Sequence, residues 1–197
     1  MKRGLRSWPG AAPEHQAFEE LLAATLDPLY ATALRLCRGR AADAEDLLQD
    51  AVLRAFTHRA ELREAAAGRS WLFTILTRTH LNRVRAAGRR RESAASDLDD
   101  VGFEAALAEW APQERADERA EREETRREIR AAIDALDDDL REVVLLTDFN
   151  GFSQRETAAI IGVPQGTVAS RLFRARRTLR HELAKRRGQD KGERRLS

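Results

Sequence analysis

The side chain with the greatest chemical reach in this 197-residue sequence is arginine. Of 35 basic residues only Lys2, Lys185 and Lys191 are lysine. A planar guanidinium grips phosphate bidentately, where an ammonium acts as a point charge. Two clusters are dense. Residues 78 to 91 hold six arginines (Arg78, Arg83, Arg85, Arg89, Arg90, Arg91) and no acid, and residues 171 to 187 hold eight basic residues against one acid. With no compensating carboxylates nearby, both read as phosphate-contacting surfaces, the electrostatic mark of a nucleic-acid binder.

Other chemistry does not assemble. Cys37 and the four dispersed histidines share no ligand spacing, which excludes a zinc finger, and one cysteine cannot form an internal disulfide. The acids Asp97, Asp99 and Asp100, and the run Asp137 to Asp139, are adjacent on flexible or helical segments and so point in different directions, and no His or Lys is spaced to serve them. Gly162 and Gly166 are not followed by the Gly-Lys-Ser/Thr of a phosphate loop. The expectation is a protein with no catalytic residues, no cofactor and no metal.

The elements that must position the arginines are helical. Glycine and proline total only 16 residues, which disfavours a fold built on tight turns, and a 42% apolar content supports a modest core. The N-terminus is basic without an apolar stretch behind it, and no run approaches the roughly 18 apolar residues of a membrane span. A soluble, cytoplasmic protein with no stable membrane insertion is expected. Residues 1 to 17 read as a flexible arm containing Pro9 and Pro13. Phe18, Leu22, Leu26, Leu29, Ala33 and Cys37 then recur at helical steps. A second helix, capped by Asp43, carries a stripe of Ala44, Leu47, Leu48, Ala51, Val52, Ala55 and Phe56. A third runs from Trp71 with Leu72, Ile75, Leu76 and Thr79 inward and the first arginine cluster outward.

The charge sign then inverts. Between Asp97 and Glu124 eleven acids face three arginines, so residues 92 to 125 read as an acidic linker with short helical turns around Phe103 to Trp110. Helix restarts near Arg126 with Ile129, Ile133, Leu136, Leu140, Val143 and Val144 and bends at Asp137 to Asp139. Ser153 with Glu156 three residues later forms a capping box. Ala158, Gly162, Val163 and Val168 follow with helix-turn-helix spacing: a small residue where two helices cross, a glycine at the turn, apolar residues locking the second helix. That second helix starts near Pro164 or Gln165 and keeps Val168, Leu172, Ala175 and Leu179 inward, with Arg171, Arg174, Arg176, Arg177 and Arg180 on its other faces. A structural corner has no need of such an arginine face. Residues 188 to 197 read as a flexible tail.

Taken in order, Asp43 to Asp50, Ser70 to Leu76, the basic run to Arg91, and Gly151 to Leu172 resemble the extracytoplasmic-function sigma factors of bacterial RNA polymerase, over about residues 18 to 187. The resemblance implies an all-α chain of two small helical domains, a sigma region 2-like bundle at 18–91 and a sigma region 4-like helix-turn-helix at 126–187, joined by the acidic linker. It implies a promoter-specificity subunit with core RNA polymerase, promoter DNA and an anti-sigma factor as partners. Asp46, Gln49 and Asp50 would dock on the coiled coil of the largest polymerase subunit, and the second domain would meet the flap of the second largest. Arg78, Asn82, Arg85, Arg89, Arg90 and Arg91 would serve the element near −10. Gln165, Thr167, Ser170, Arg171 and Arg174 would serve the element near −35 from the major groove. The competing reading is a stand-alone helix-turn-helix repressor with residues 18–91 as a dimerisation or sensing domain; the Asp43 to Asp50 match speaks against it.

Overall fold

A computed structural model describes residues 13–62, 64–90 and 116–193, and their regular elements are all helical. The N-terminal unit comprises α1 (Pro13–Leu36), α2 (Ala41–His58) and α3 (Gly68–Arg90). The C-terminal unit comprises α4 (Ala116–Asp134), α5 (Asp138–Val144), a single π-helical turn (Leu145–Phe149), α6 (Gln154–Ile161) and α7 (Gln165–Glu193).

Several element boundaries differ from the expectation. Residues 13 to 17 of the anticipated arm are helical, because Pro13 stands at a first-turn position that needs no N–H donor; residues 1 to 12 lie outside the described residues. Asp43 does not cap α2. Two alanines carry that helix upstream, Arg40 takes the cap position without a side-chain bond, and Asp43 sits in the first turn, where its carboxylate pairs with Arg40 Nε at 2.9 Å. α3 begins three residues before Trp71, at Gly68, which leaves room for the Leu21 side chain against its backbone. Residues 116 to 125 of the anticipated linker belong to α4, while 92–115, with the turns expected at Phe103 to Trp110, lie outside the described residues. Residues 188 to 193 of the anticipated tail continue α7.

Phe18, Leu29, Ala33, Leu47, Leu72, Phe73 and Leu76 form the N-terminal core; Leu26, expected in its stripe, is exposed. In the C-terminal unit Leu136, Leu140, Val143 and Val144 pack against Val168, Leu172 and Ala175, and the break at Asp137 falls where the three aspartates stand. Ile129 faces outward instead of joining them.

The two units also pack on one another, which periodicity did not foretell. Leu146, Phe152 and Ile160 share one apolar cluster with Leu72, Phe73 and Leu76, and Leu36 joins Ile133 and Leu145 in another. Phe73 and Phe152 meet edge to face with centroids 5.0 Å apart. The Arg69 guanidinium lies 4.3 Å from the Phe152 ring centre and donates to the Asn150 carbonyl at 2.7 Å. Asn150 Nδ2 donates to Thr32 Oγ1 at 3.0 Å, and Arg38 reaches across to the Asp138 carboxylate at 3.0 Å.

Gly162 ends α6 at φ 73°, with nothing near the position of a side chain. The cost of Gly162→Ala is therefore conformational alone, about 1–2 kcal/mol. The melting midpoint followed by circular dichroism should fall by roughly 2–8 °C; an unchanged midpoint would show that the turn does not need the left-handed conformation.

Candidate nucleic-acid interface

The helix-turn-helix is built as its residues require. Ser153 Oγ accepts from the Glu156 N–H at 3.2 Å, and the Glu156 carboxylate accepts from the Ser153 N–H at 2.8 Å. The Ser153 hydroxyl also donates to the Glu156 carboxylate at 2.7 Å, and that bond, then the one from the Ser153 N–H, holds the Glu156 carboxyl below its ordinary range. At the other end of α6 the N–H groups of Gly162 and Val163 both return to the Ala158 carbonyl, at 2.9 and 3.1 Å, closing the turn into α7. Thr157 and Ile160 of α6 are buried. Val168, Leu172 and Ala175 turn one side of α7 into the core, which leaves the opposite side outward.

On that outward side Gln165, Ala169, Ser170, Phe173, Arg174 and Arg177 are all exposed. Thr167 is half-buried, and its carbonyl accepts from Ser170 Oγ at 2.9 Å. Arg171 departs from this group. It leans back against α5, where its Nε meets Asp139 at 3.2 Å and its side chain is only 22% exposed. Arg176 is likewise occupied, by the carboxylate of Asp148. Among the described residues Arg174, Arg177 and Arg180 are exposed and make no ion pair with a carboxylate.

Phe173 was missed by sequence reasoning. It is 65% exposed between Ser170 and Arg174. Its signal lay in its phase: it falls off the Val168, Leu172, Ala175 stripe and onto the polar side. An aromatic on that side leaves most of its ring in solvent.

In the N-terminal unit Arg78, Asn82 and Arg85 are exposed along one side of α3. Arg89 and Arg90 continue that helix, and Arg91 lies outside the described residues. Arg83 instead points inward at α2, donating to the Asp46 carbonyl at 2.9 Å and pairing with the Asp50 carboxylate. Asp46 and Gln49 are exposed, and the half-buried Asp50 is oriented by Arg83. Leu53, 65% exposed, stands among these three on the face of α2 opposite its buried Ala44, Leu47, Ala51 and Ala55. Trp71 packs edge-on against Phe18 at 6.4 Å as part of the core. Among the described residues no group of three or more His, Cys, Asp or Glu could hold a metal ion, and no helix is long and apolar enough to cross a membrane.

The sigma-70 region 2 family matches residues 21–90, and the sigma-70 region 4 family matches residues 126–179. The ECF RNA polymerase sigma factor SigE of Mycolicibacterium smegmatis is 34% identical over 170 residues, 86% of this chain and 62% of that one, so the chain spans less than two thirds of that relative. The ECF RNA polymerase sigma-E factor of Escherichia coli K12 is 33% identical over 139 residues, 70% of this chain and 72% of that one. Among solved structures, the sigma factor RpoE in complex with the anti-sigma factor NepR from Bartonella quintana superposes with a TM-score of 0.69 at 28% identity, covering 86% of this chain and 98% of that one. CnrH in complex with the cytosolic domain of CnrY gives 0.58 at 26% identity, covering 87% and 94%. With both helical regions matched in order and the identity carried across most of the E. coli relative, the chain belongs to the extracytoplasmic-function sigma factors of RNA polymerase.

Proposed function

We propose that the chain is a promoter-specificity subunit that binds core RNA polymerase and directs initiation by reading elements near −35 and −10 and promoting strand opening. The observation that carries this reading is the outward face of α7: a capped helix-turn-helix exposes Ser170, Phe173, Arg174 and Arg177, in a family whose members serve RNA polymerase. Arginine contacts to phosphate supply salt-dependent affinity, and contacts to base edges supply choice of promoter. Arg78, Asn82 and Arg85, with Arg89 to Arg91 beyond them, give α3 the matching role at the downstream element. Asp46, Gln49 and Asp50, with Leu53 as an apolar centre, make the face of α2 that meets the coiled coil of the largest subunit. The C-terminal domain meets the flap of the second largest. The domain bodies are residues 18–91 and 126–187, and the acidic stretch between them suits a channel lined with positive charge. The anti-sigma factors bound to the solved relatives support an anti-sigma partner here, inside the cell.

The test is reconstitution with core polymerase and selection of a promoter from a randomised pool. Arg174→Ala or Phe173→Ala should relax choice in the upstream element by about 1–3 kcal/mol per lost base contact, roughly 5- to 150-fold. Asn82→Ala should leave that choice intact and reduce permanganate reactivity of unpaired thymines downstream. A chain that ignores polymerase and gives nanomolar footprints on a palindrome by itself would instead be the repressor.

A further inference from the structure

The arginines of α3 are not equivalent in phase. At 3.6 residues per turn, Arg83 falls two turns beyond the buried Leu76 and within about 20° of it, on the stripe that Leu72 and Leu76 turn into the core. Arg78 and Arg85 lie about 160° and 180° from Leu76 and are exposed. Phase therefore commits Arg83 to α2. Its Nη2 donates to the Asp46 carbonyl at 2.9 Å and to the Asp50 carboxylate, and its Nη1 reaches the Asp43 carbonyl at 3.5 Å. Contacts spread over two turns of α2 fix the guanidinium, and the guanidinium in turn fixes one oxygen of Asp50. The carboxylate stays accessible. The Asp50 side chain is 47% exposed, and an ionised carboxyl offers about four acceptor positions, of which this bond takes one.

We propose that Arg83 is a positioning residue of the polymerase-docking face: it holds the Asp50 carboxylate ready beside Asp46, Gln49 and Leu53 for a cationic or N–H-donating partner group, and takes no part in holding DNA phosphate. The proposal rests on the reading of that face of α2 as the one that meets polymerase. A half-exposed ion pair adds little to stability, so its value lies elsewhere. Association costs the ordering of each mobile side chain at an interface, and a side chain already held in its bound geometry does not incur that cost. The basic run of α3 is thereby divided. Arg78 and Arg85 stay on the DNA-facing side, while Arg83, drawn from the same run, serves the docking helix across the core.

The full-length protein, titrated against core polymerase by fluorescence anisotropy, tests this. Arg83→Ala should keep its far-UV helicity and melt within about 4 °C of the wild type. Its affinity for polymerase should fall about 3- to 10-fold, the cost of ordering one freed side chain. Arg83→Lys, which keeps a charge within reach of Asp50, should stay within about twofold of the wild type. In an Asp50→Ala background, itself weaker in polymerase binding, Arg83→Ala should cost less than about twofold more, because the group it positions is gone. With polymerase saturating, the slope of log promoter affinity against log salt should be unchanged by Arg83→Ala. A slope smaller by about 0.9 would assign Arg83 to a phosphate and overturn the proposal. So would an unchanged polymerase affinity, or a loss of full size in the Asp50→Ala background, when Asp50→Ala alone weakens binding; in those cases the docking face stands without Arg83. If Asp50→Ala alone leaves polymerase binding intact, the reading of the docking face falls and the role of Arg83 falls with it.

Discussion

Arg141→Ala is expected to destabilise the chain by about 3–5 kcal/mol, enough to remove a large share of the 5–15 kcal/mol typical of a domain. The side chain is completely buried, and its guanidinium is spent on the end of the preceding helix. Nε donates to the Ile133 carbonyl at 3.2 Å, and Nη2 donates to the carbonyls of Asp134 and Leu136. Nη1 donates to the Asp138 carboxylate at 2.8 Å. The last carbonyls of a helix have no partner within it, so one residue of α5 terminates α4 and sets the angle between them. Burial pulls the Arg141 pKa down, and the neighbouring Arg38 adds to that, while Asp138 and Asp134 oppose it. Truncation removes the guanidinium from the Leu136 carbonyl, at a cost of about 1–3 kcal/mol for an unsatisfied buried group, takes one of two donors from each of the Ile133 and Asp134 carbonyls, which keep the Leu136 N–H and Arg38, and leaves a cavity. Because Arg38 also binds the Asp138 carboxylate and the Asp134 carbonyl, the loss extends to the contact between the units. Urea denaturation should show the drop, with Arg141→Lys intermediate, since an ammonium keeps the charge but lacks the fork. A change below about 1 kcal/mol for alanine would mean that water serves those carbonyls as well as the guanidinium does.

Sequence periodicity found the helices because each buries one stripe. It found the turn at Gly162 and the capping box at Ser153 because those devices are local: cap and partner lie within four residues. It misplaced the start of α2 because a cap and a first-turn acid look alike in sequence, and the flanking Ala41 and Ala42 were free to join the helix. Arg141 was invisible for a different reason. An arginine in an apolar stripe reads as a break in it, and only the spatial convergence of three carbonyls makes it a core residue. Phe73 and Phe152, 79 positions apart in the sequence, illustrate the same limit. Each looks like an ordinary core aromatic of its own unit, and nothing in the spacing says that they bury one another. In the candidate interface, Ser170 and Arg174 stand on the expected outward face. The resemblance places Arg171 with Arg174 at the element near −35, but at three residues' separation the two lie about 60° from superposition around a helix. That offset is enough to bring Arg171 within reach of Asp139.

Beside that ion pair, Glu142 is pushed up to about 7 from its ordinary 4.5, chiefly by burial; Arg171 counters this, and Asp139 and Asp138 reinforce it. The unfolded chain ionises this carboxyl near pH 4.5, whereas the folded chain keeps the proton until about 7. Rising pH between those values therefore favours unfolding, and above the upper value the whole penalty is present. At about 1.36 kcal/mol per pKa unit the gap corresponds to about 3 kcal/mol, and allowing for relaxation of the site about 2–3 kcal/mol is expected. Glu142→Gln keeps the shape and the hydrogen-bonding atoms without the charge. The variant should match the wild type in urea stability at pH 4, exceed it progressively from pH 5, and hold a constant advantage above pH 8. Comparing the two proteins at each pH removes the contribution of every other titrating group. A stability difference that does not vary with pH would show that Glu142 titrates in the fold at its ordinary value and is ionised at neutral pH. Asp139 would then share Arg171 with a second carboxylate, and that arginine would be held still more firmly away from the outward face of α7.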